Sequence, residues 1–429
     1  MSAVVPSPGV EASLPRAAVN AKLVSLVLAF SVGVGVFLSG FVIREPAPYE
    51  LFMAVVIAVW GLFALRISRV VAPLLVLIIF FNTGGLIAMS QMGDLYETPL
   101  YLAVTLFLGL TSVFLAAVVE QRSNLLNVAF NAWTLAAFLT SVAGIIGYFG
   151  LVPGAEIFTR YGRATGVFQD PNVFGPFLVL PAIWLIHRVL TGRPGTVLMT
   201  LPILFVVVVG IFLSFSRGAW GLIAICGLML VAALAIQIPD RQFRLRLIVL
   251  GFSAFAVLAV GIFAILQIPD VQALFSERAQ LVQEYDEGRY GRFARFGIGM
   301  RMAMENPLGI GALEFGRLWG EDTHNIWLKA LLDYSWLGFA SFAILTCWTI
   351  GAGFRILFRP RPWQPLLLCT YVVFVGHILL GTIIDIDHWR HFYLLIGLVW
   401  GCVGLEWRYQ RSSPMHGFVA VNPVDQRVE

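Results

Sequence analysis

The sequence predicts an all-α polytopic membrane protein with about twelve transmembrane helices and one large helical external loop between the ninth and tenth. Three observations carry that prediction. Of the 429 residues, 59% are hydrophobic and 12% charged, where soluble domains run at roughly 45–50% and 25%. The mean hydropathy is +0.86. The cations gather in alternate connections between apolar runs. Together these exclude a soluble globular enzyme, a disordered chain and a disulfide scaffold.

The stretch 1–21 is polar and rich in Pro, Ser and Ala, and reads as a disordered cytoplasmic N-terminus. The apolar run Leu23–Ile43 is too long for a signal h-region and reads as an uncleaved first span. A span needs about 20 apolar residues. Runs of that kind place helices near 22–43, 49–65, 70–90, 98–119, 126–149, 172–190, 196–214, 217–237, 245–267, 324–347, 364–384 and 391–407. One set of connections holds Arg66 and Arg69; Arg122; Arg188 and Arg193; Arg241, Arg244 and Arg246; and Arg355, Arg359 and Arg361. Arg408 and Arg411 follow the last span. By the positive-inside rule this set is cytoplasmic, as are both termini. The integral domain is then 22–411, with a cytoplasmic tail at 412–429.

The connection 267–323 is much longer than the rest. Val271, Leu274, Phe275, Leu281, Val282 and Tyr285 recur at helical spacing, with Gly288 as the stop. A second helix is expected over Arg292–Glu305, ended by Asn306-Pro307, with a turn at Gly309-Ile310-Gly311. Long loops with structure of their own are usually functional. The chain shows no Gly-rich phosphate motif, no Cys/His metal spacing and no nucleophile elbow. No basic run with interleaved aromatics suggests nucleic acid. Cys226, Cys347, Cys369 and Cys402 all fall in apolar stretches and read as small core residues.

Lys22 and Lys329 are the only lysines, so the cations are nearly all arginine, which suits bidentate contact with phosphate or carboxylate. The arginines on the external side run against the orientation bias and need a reason. They are Arg160 and Arg163, then Arg217, then Arg278, Arg289, Arg292, Arg295, Arg301 and Arg317, and finally Arg390. One reading is a polyanion site, most simply for a lipid-linked pyrophosphate. The other is pairing with Glu277, Glu284, Asp286, Glu287, Glu305, Glu314, Glu321 and Asp322 on the same side. Arg160, Arg163 and Arg217 favour the first reading, because their own short loops hold only Glu156 and Asp170. Asp170-Pro171 reads as a helix N-cap with proline at N1. His324, beside Asn325, is the histidine next to the arginine-rich loop. It reads either as an acceptor of a hydroxyl proton or as a structural residue at a helix start. Lys329 and Asp333, four apart, read as a self-neutralising pair. Asp385 and Asp387 either orient His324 and bind acceptor hydroxyls, or solvate the loop and pair with Arg390.

His324-Asn325-Ile326-Trp327-Leu328 through Ser335-Trp336-Leu337-Gly338 resembles a motif of the O-antigen ligase and polymerase superfamily of bacterial envelope glycosyltransferases. That motif is His-Asn followed by Gly-x-x-Gly; here Ser335 stands at the first glycine. Arg163-Ala164-Thr165-Gly166-Val167-Phe168 with Asp170-Pro171-Asn172, and Ser216-Arg217-Gly218 with Asn306-Pro307-Leu308-Gly309-Ile310-Gly311, add to the likeness. The resemblance implies a fold similar to the membrane glycosyltransferases that use lipid-linked donors. It implies transfer of a glycan from undecaprenyl pyrophosphate to a lipid A-core or glycan hydroxyl, at the periplasmic face of the bacterial inner membrane. It implies no metal and no cofactor. On this reading Arg160, Arg163, Arg217, Arg292 and Arg295 bind the donor pyrophosphate, His324 takes the acceptor proton, and Asn325, Asp385 and Asp387 bind the acceptor or orient His324. A flippase or other transporter, a non-catalytic envelope assembly protein and a peptidoglycan polymerase are the rival readings. Charges inside the spans, which a transporter would carry, are few.

Overall fold

The computed structural model describes residues 16–63, 66–278 and 291–412. These residues form a helical bundle. In chain order they are α1 (Arg16–Leu38), α2 (Pro48–Phe63), α3 (Ala72–Met89), α4 (Thr98–Gln121) and α5 (Asn124–Tyr148). A small hairpin of β1 (Thr159–Arg160) and β2 (Arg163–Ala164) follows. Then come α6 (Pro171–Phe177), α7 (Val179–Thr191), α8 (Pro194–Leu213), α9 (Arg217–Gln237), α10 (Arg241–Ile265) and α11 (Pro269–Arg278). The last set is α12 (Arg292–Glu305), α13 (Glu314–Trp319), α14 (Ile326–Asp333), α15 (Ser335–Leu357), α16 (Gln364–Leu380) and α17 (Arg390–Ser412).

Eight helical segments among the described residues are long and apolar enough to cross a membrane, so the chain is a multi-pass membrane protein. Two shorter apolar helices, α2 and α16, stand beside them. The twelve expected runs all fall on helices, but two differ in form. The run at 172–190 is divided into α6 and α7, and that at 324–347 into α14 and α15. In the long connection, α12 occupies the expected limits Arg292–Glu305. Of the first expected helix there, Pro269–Arg278 is helical, while Leu281, Val282, Tyr285 and Gly288 lie outside the described residues.

The break between α14 and α15 has a backbone cause. The Leu332 carbonyl accepts from the Ile310 and Gly311 amides at 2.8 and 3.2 Å. The Trp336 amide donates to the Pro307 carbonyl at 3.1 Å. The turn after α12 thus takes over bonds that a continuous helix would make to itself. Gly309 and Gly311 sit at φ +80° and +100°. A Cβ on Gly309 would also lie 2.7 Å from the Leu332 carbonyl oxygen, so this turn requires glycine.

α17 is buried over most of its length and lies against α4 more extensively than any other pair of helices. Gly397, Gly401 and Gly404 face Ser112, Val119 and Glu120 on α4. Small residues three and four apart let two membrane helices approach closely, where dispersion and short polar contacts replace a hydrophobic drive. α3 meets α15 in the same way, with Gly84 against the Tyr334 carbonyl and the Gly338 amide.

The connections fall at two ends of the bundle. At one end the Val42 amide donates to the Val167 carbonyl at 2.7 Å, Thr98 to the Ala312 carbonyl at 2.9 Å, and Asn325 to the Thr382 carbonyl at 3.0 Å. At the opposite end Glu406 receives Arg359 and Arg361 at 2.7 Å, Glu120 receives Arg408 at 2.9 Å, and Arg246 donates to the Gly192 carbonyl at 3.0 Å. The arginine-rich connections are those of the second end.

Candidate active site

The site is assembled around the C-terminus of α16. On one side, Ser216 caps α9 by accepting from the Ala219 amide at 3.4 Å, and Arg217 opens that helix half-exposed. Gly218 lies against Leu380, the last residue of α16. On the other side, the Gly381 carbonyl accepts from the Ile326 amide at 2.8 Å. Arg217 and His324 therefore flank one helix end, although more than a hundred residues separate them in sequence.

Asn325 is the N-cap of α14. Its side-chain oxygen accepts from the Trp327 and Leu328 amides at 2.9 and 3.1 Å, and its amide reaches Thr382. Such a cap stabilises a helix by about 1 kcal/mol. His324 precedes the cap at φ +51°, an αL conformation that is uncommon outside glycine. The strained turn points its imidazole between two carboxylates. Nδ1 is 3.5 Å from Asp385 Oδ2, and Nε2 is 3.9 Å from Glu321 Oε2. The same Glu321 oxygen receives Arg295 Nη1 at 2.6 Å. Arg295, Glu321, His324 and Asp385 thus form one chain of ionisable groups. The imidazole keeps 26% of its side-chain surface exposed, so it is open to a substrate.

Burial would raise the Asp385 carboxyl, but Lys329, together with His324 and the Asn325 amide, holds it below the ordinary carboxylate value. It is ionised at neutral pH. An ionised carboxylate at Nδ1 favours the tautomer with the proton on Nδ1, which leaves Nε2 as the basic atom. Asp387 is buried and accepts from Tyr101 at 2.6 Å and Tyr334 at 3.3 Å. The pairing of Asp387 with Arg390 is not what forms: Arg390 Nη2 meets Glu45 at 3.0 Å and its Nε pairs with Glu50, tying the α1–α2 connection and the first turn of α2 to α17. His388 stacks on Tyr101 with centroids 3.7 Å apart and pairs with Thr105 at 2.8 Å. Burial lowers its pKa to about 4, so it is neutral.

The other arginines divide by surroundings. Arg163 is buried; its Nε donates to the Ser214 carbonyl at 2.7 Å and Nη2 to Asn172 at 2.8 Å. It locks the hairpin to the α8–α9 turn that carries Arg217. Arg160 is exposed, donates to the Gln169 carbonyl at 3.0 Å and lies over Tyr161. Asp170 caps α6 by accepting from the Asn172 amide at 2.7 Å, with Pro171 at N1. Arg295 is buried against Glu321 and the Asp322 carbonyl. Arg317 pairs with Glu314 at 2.8 Å and covers Tyr96. Arg292 opens α12.

Beside Asn325, an apolar cavity of about 370 Å³ runs between α12, α14 and α15. It is lined by Phe296, Met300, Trp327, Leu328, Leu331 and Phe339. Sequence reasoning passed over Glu321 as a site member and read Lys329 only as the partner of Asp333. Tyr101 gave no signal at all, because a tyrosine in the first turn of a span is ordinary. Among the described residues no group of three or more His, Cys, Asp or Glu is placed to hold a metal ion.

No curated protein matches the chain. Residues 202–343, which contain Arg217, Arg292, Arg295, His324, Asn325 and Ser335, match the family model described as O-antigen ligase. The match spans about a third of the chain and makes that segment similar to the O-antigen ligases, a likeness that supports a ligase-like function in polysaccharide synthesis.

Proposed function

We propose that the protein is an inner-membrane glycosyltransferase that moves a glycan from undecaprenyl pyrophosphate to a sugar hydroxyl, without a metal, at the end of the bundle bearing His324. The observation that carries this reading is the His324–Asp385 pair at 3.5 Å, which joins a turn of the ligase-matched segment to the loop before α17. Asp385 holds the imidazole with its proton on Nδ1. Nε2, facing the open gap beside Glu321, accepts the proton of the acceptor hydroxyl as that oxygen attacks the anomeric carbon. The bond to pyrophosphate breaks and the leaving group departs with its charge. Arg217, across the α16 terminus, stabilises that charge together with Arg160 at the hairpin. Arg163 and Arg295 hold the two walls in place through their carbonyl and carboxylate partners. Arg292, which opens α12 in the long connection, is assigned to the donor pyrophosphate as well. The apolar cavity beside Asn325 receives hydrocarbon of the lipid carrier.

The orientation follows from charge. The arginine-rich end faces the cytoplasm, with both termini, and the His324 end faces the periplasm. The lipid A-core, or the end of another lipid-linked glycan, is the acceptor.

The test is a deletion strain whose envelope glycans are separated by size on gels. Bare lipid A-core with free lipid-linked polymer is the expected result for a ligase. Loss of long polymer, with single repeats still attached, would assign a polymerase. Unchanged glycans with no accumulated lipid-linked intermediate would overturn the enzyme reading.

A further inference from the structure

Lys329 is the one described lysine within the site, and it is 3% exposed. It projects from α14, one turn after the Asn325 cap. Its ammonium pairs with Asp322, two residues before His324, and lies 3.4 Å from Asp333 Oδ2 and 5.3 Å from the Tyr101 ring centre. The groups around it come from every neighbouring element. The segment before α14 gives Glu321, Asp322 and His324, and α14 itself gives Asp333. Tyr101 comes from α4, and Tyr334 from the α14–α15 junction. Asp385, Asp387 and His388 come from the loop before α17. Four aspartates thus surround a single ammonium.

Four carboxylates, two of them buried and two partly exposed, are not equivalent beside one cation. The arrangement sorts them. Asp333 has neither carboxylate oxygen hydrogen-bonded and is 1% exposed. Its burial raises it well above the ordinary carboxylate value despite Lys329. Asp385, at the rim, is the member next to the imidazole, and Lys329 is the foremost of the influences that lower it. Burial pulls down the Lys329 ammonium itself, but Tyr101 and the carboxylates of Asp333, Asp387 and Asp322 more than reverse that, so it stays charged.

We infer that Lys329 is the positioning residue of this site: its buried ammonium, paired with Asp322 and 3.4 Å from Asp333, fixes the turn on which His324 stands against Asp385. A lone ammonium–carboxylate pair with Asp333 would need neither Asp322 nor Asp385. Lys329 touches no reacting atom and acts through the other two. The inference rests on the reading of His324 and Asp385 given above.

The experiment measures glycan transfer against pH for purified full-length protein in detergent, added to membranes of the deletion strain, which supply lipid-linked glycan and acceptor. Lys329→Met removes the ammonium. Lys329→Met combined with Asp333→Leu removes the buried acid as well and restores the charge balance, so it keeps a folded variant in hand if the single change does not fold. In either variant the acidic limb of the profile is expected to move up by at least about one pH unit, a tenfold or greater loss of rate on that limb, while the plateau at high pH is partly retained. Lys329→Arg keeps the charge and is expected to restore the limb. A folded Lys329→Met or double variant with the wild-type pH profile would overturn the role of Lys329. Full activity of His324→Ala and Asp385→Asn would instead overturn the site itself, so the two failures are separable.

Discussion

The Trp336 amide donates to the Pro307 carbonyl, 3.1 Å away, and this contact ends α14 and starts α15 anew. Ser335, the first residue of α15, sits at φ +61°. In the motif that this segment resembles, the same place is glycine. The αL conformation explains the preference, because a Cβ costs roughly 1–2 kcal/mol there. The Ser335 hydroxyl is also buried without a hydrogen bond. Ser335→Gly is therefore expected to raise the melting temperature in detergent, with a gain of about 1 kcal/mol, and Ser335→Val to lower it by more than that. A destabilised glycine variant would contradict this account of the turn.

Gly84 of α3 faces the Tyr334 carbonyl and the Gly338 amide, and both are backbone atoms with no freedom to yield. Tyr334 in turn stacks on Phe81 with ring centres 4.0 Å apart and meets Thr105 at 2.8 Å. Gly84→Ala is expected to push α15 away from α3 and to cost about 1–3 kcal/mol. The readout is the fraction of monodisperse protein after gentle heating, together with transfer activity, which should fall in parallel as the His324 turn shifts.

Arg163 and Arg217 belong to adjoining segments but have different surroundings. Arg163 is buried with a backbone carbonyl and an amide as partners, so Arg163→Ala is expected to destabilise the hairpin and the α8–α9 turn by about 2–3 kcal/mol. Arg217 is half-exposed at a helix start. Arg217→Ala is expected to leave the melting temperature within a few degrees of wild type and to reduce transfer at least tenfold. Arg217→Lys should recover only part of that loss, since an ammonium lacks the two-pronged donor geometry.

His388 gives the protein an acid sensitivity with a definite sign. Its folded pKa, lowered by burial, is about 4, below the ordinary 6.5. Between those values the unfolded chain binds more protons than the folded one. Stability is then level above about pH 6.5 and falls as the pH drops toward 4, by up to about 3 kcal/mol. Melting in detergent across this range should show the fall, and His388→Asn should flatten it.

Asp385→Asn preserves shape and removes the charge beside Nδ1. On the reading of His324 as base, transfer should fall by about a hundredfold with little change in melting. His324→Ala should be at least as impaired, and combining the two should add little, since the residues act as one unit. Independent, multiplicative losses would separate the two roles.

The sequence by itself determined the membrane class, the helical segments and the two-sided distribution of arginine, because burial in hydrocarbon demands long apolar runs and those runs are legible in one dimension. The limits of α12 and the cap at Asp170 were equally local, set by proline, glycine and short polar side chains. Only the tertiary structure decided what lies around His324. The bonds from Ile310 and Gly311 to Leu332 divide a run that reads as one span. The loop bearing Asp385 comes from sixty residues downstream, and Tyr101 from more than two hundred upstream. Lys329, which pairs with Asp333 by helical spacing alone, gains Asp322 and Tyr101 once the chain is folded. Spacing records which residues share a helix face. It does not record which buried charges must find a counter-ion across the bundle, and in this protein that requirement set the surroundings of the imidazole.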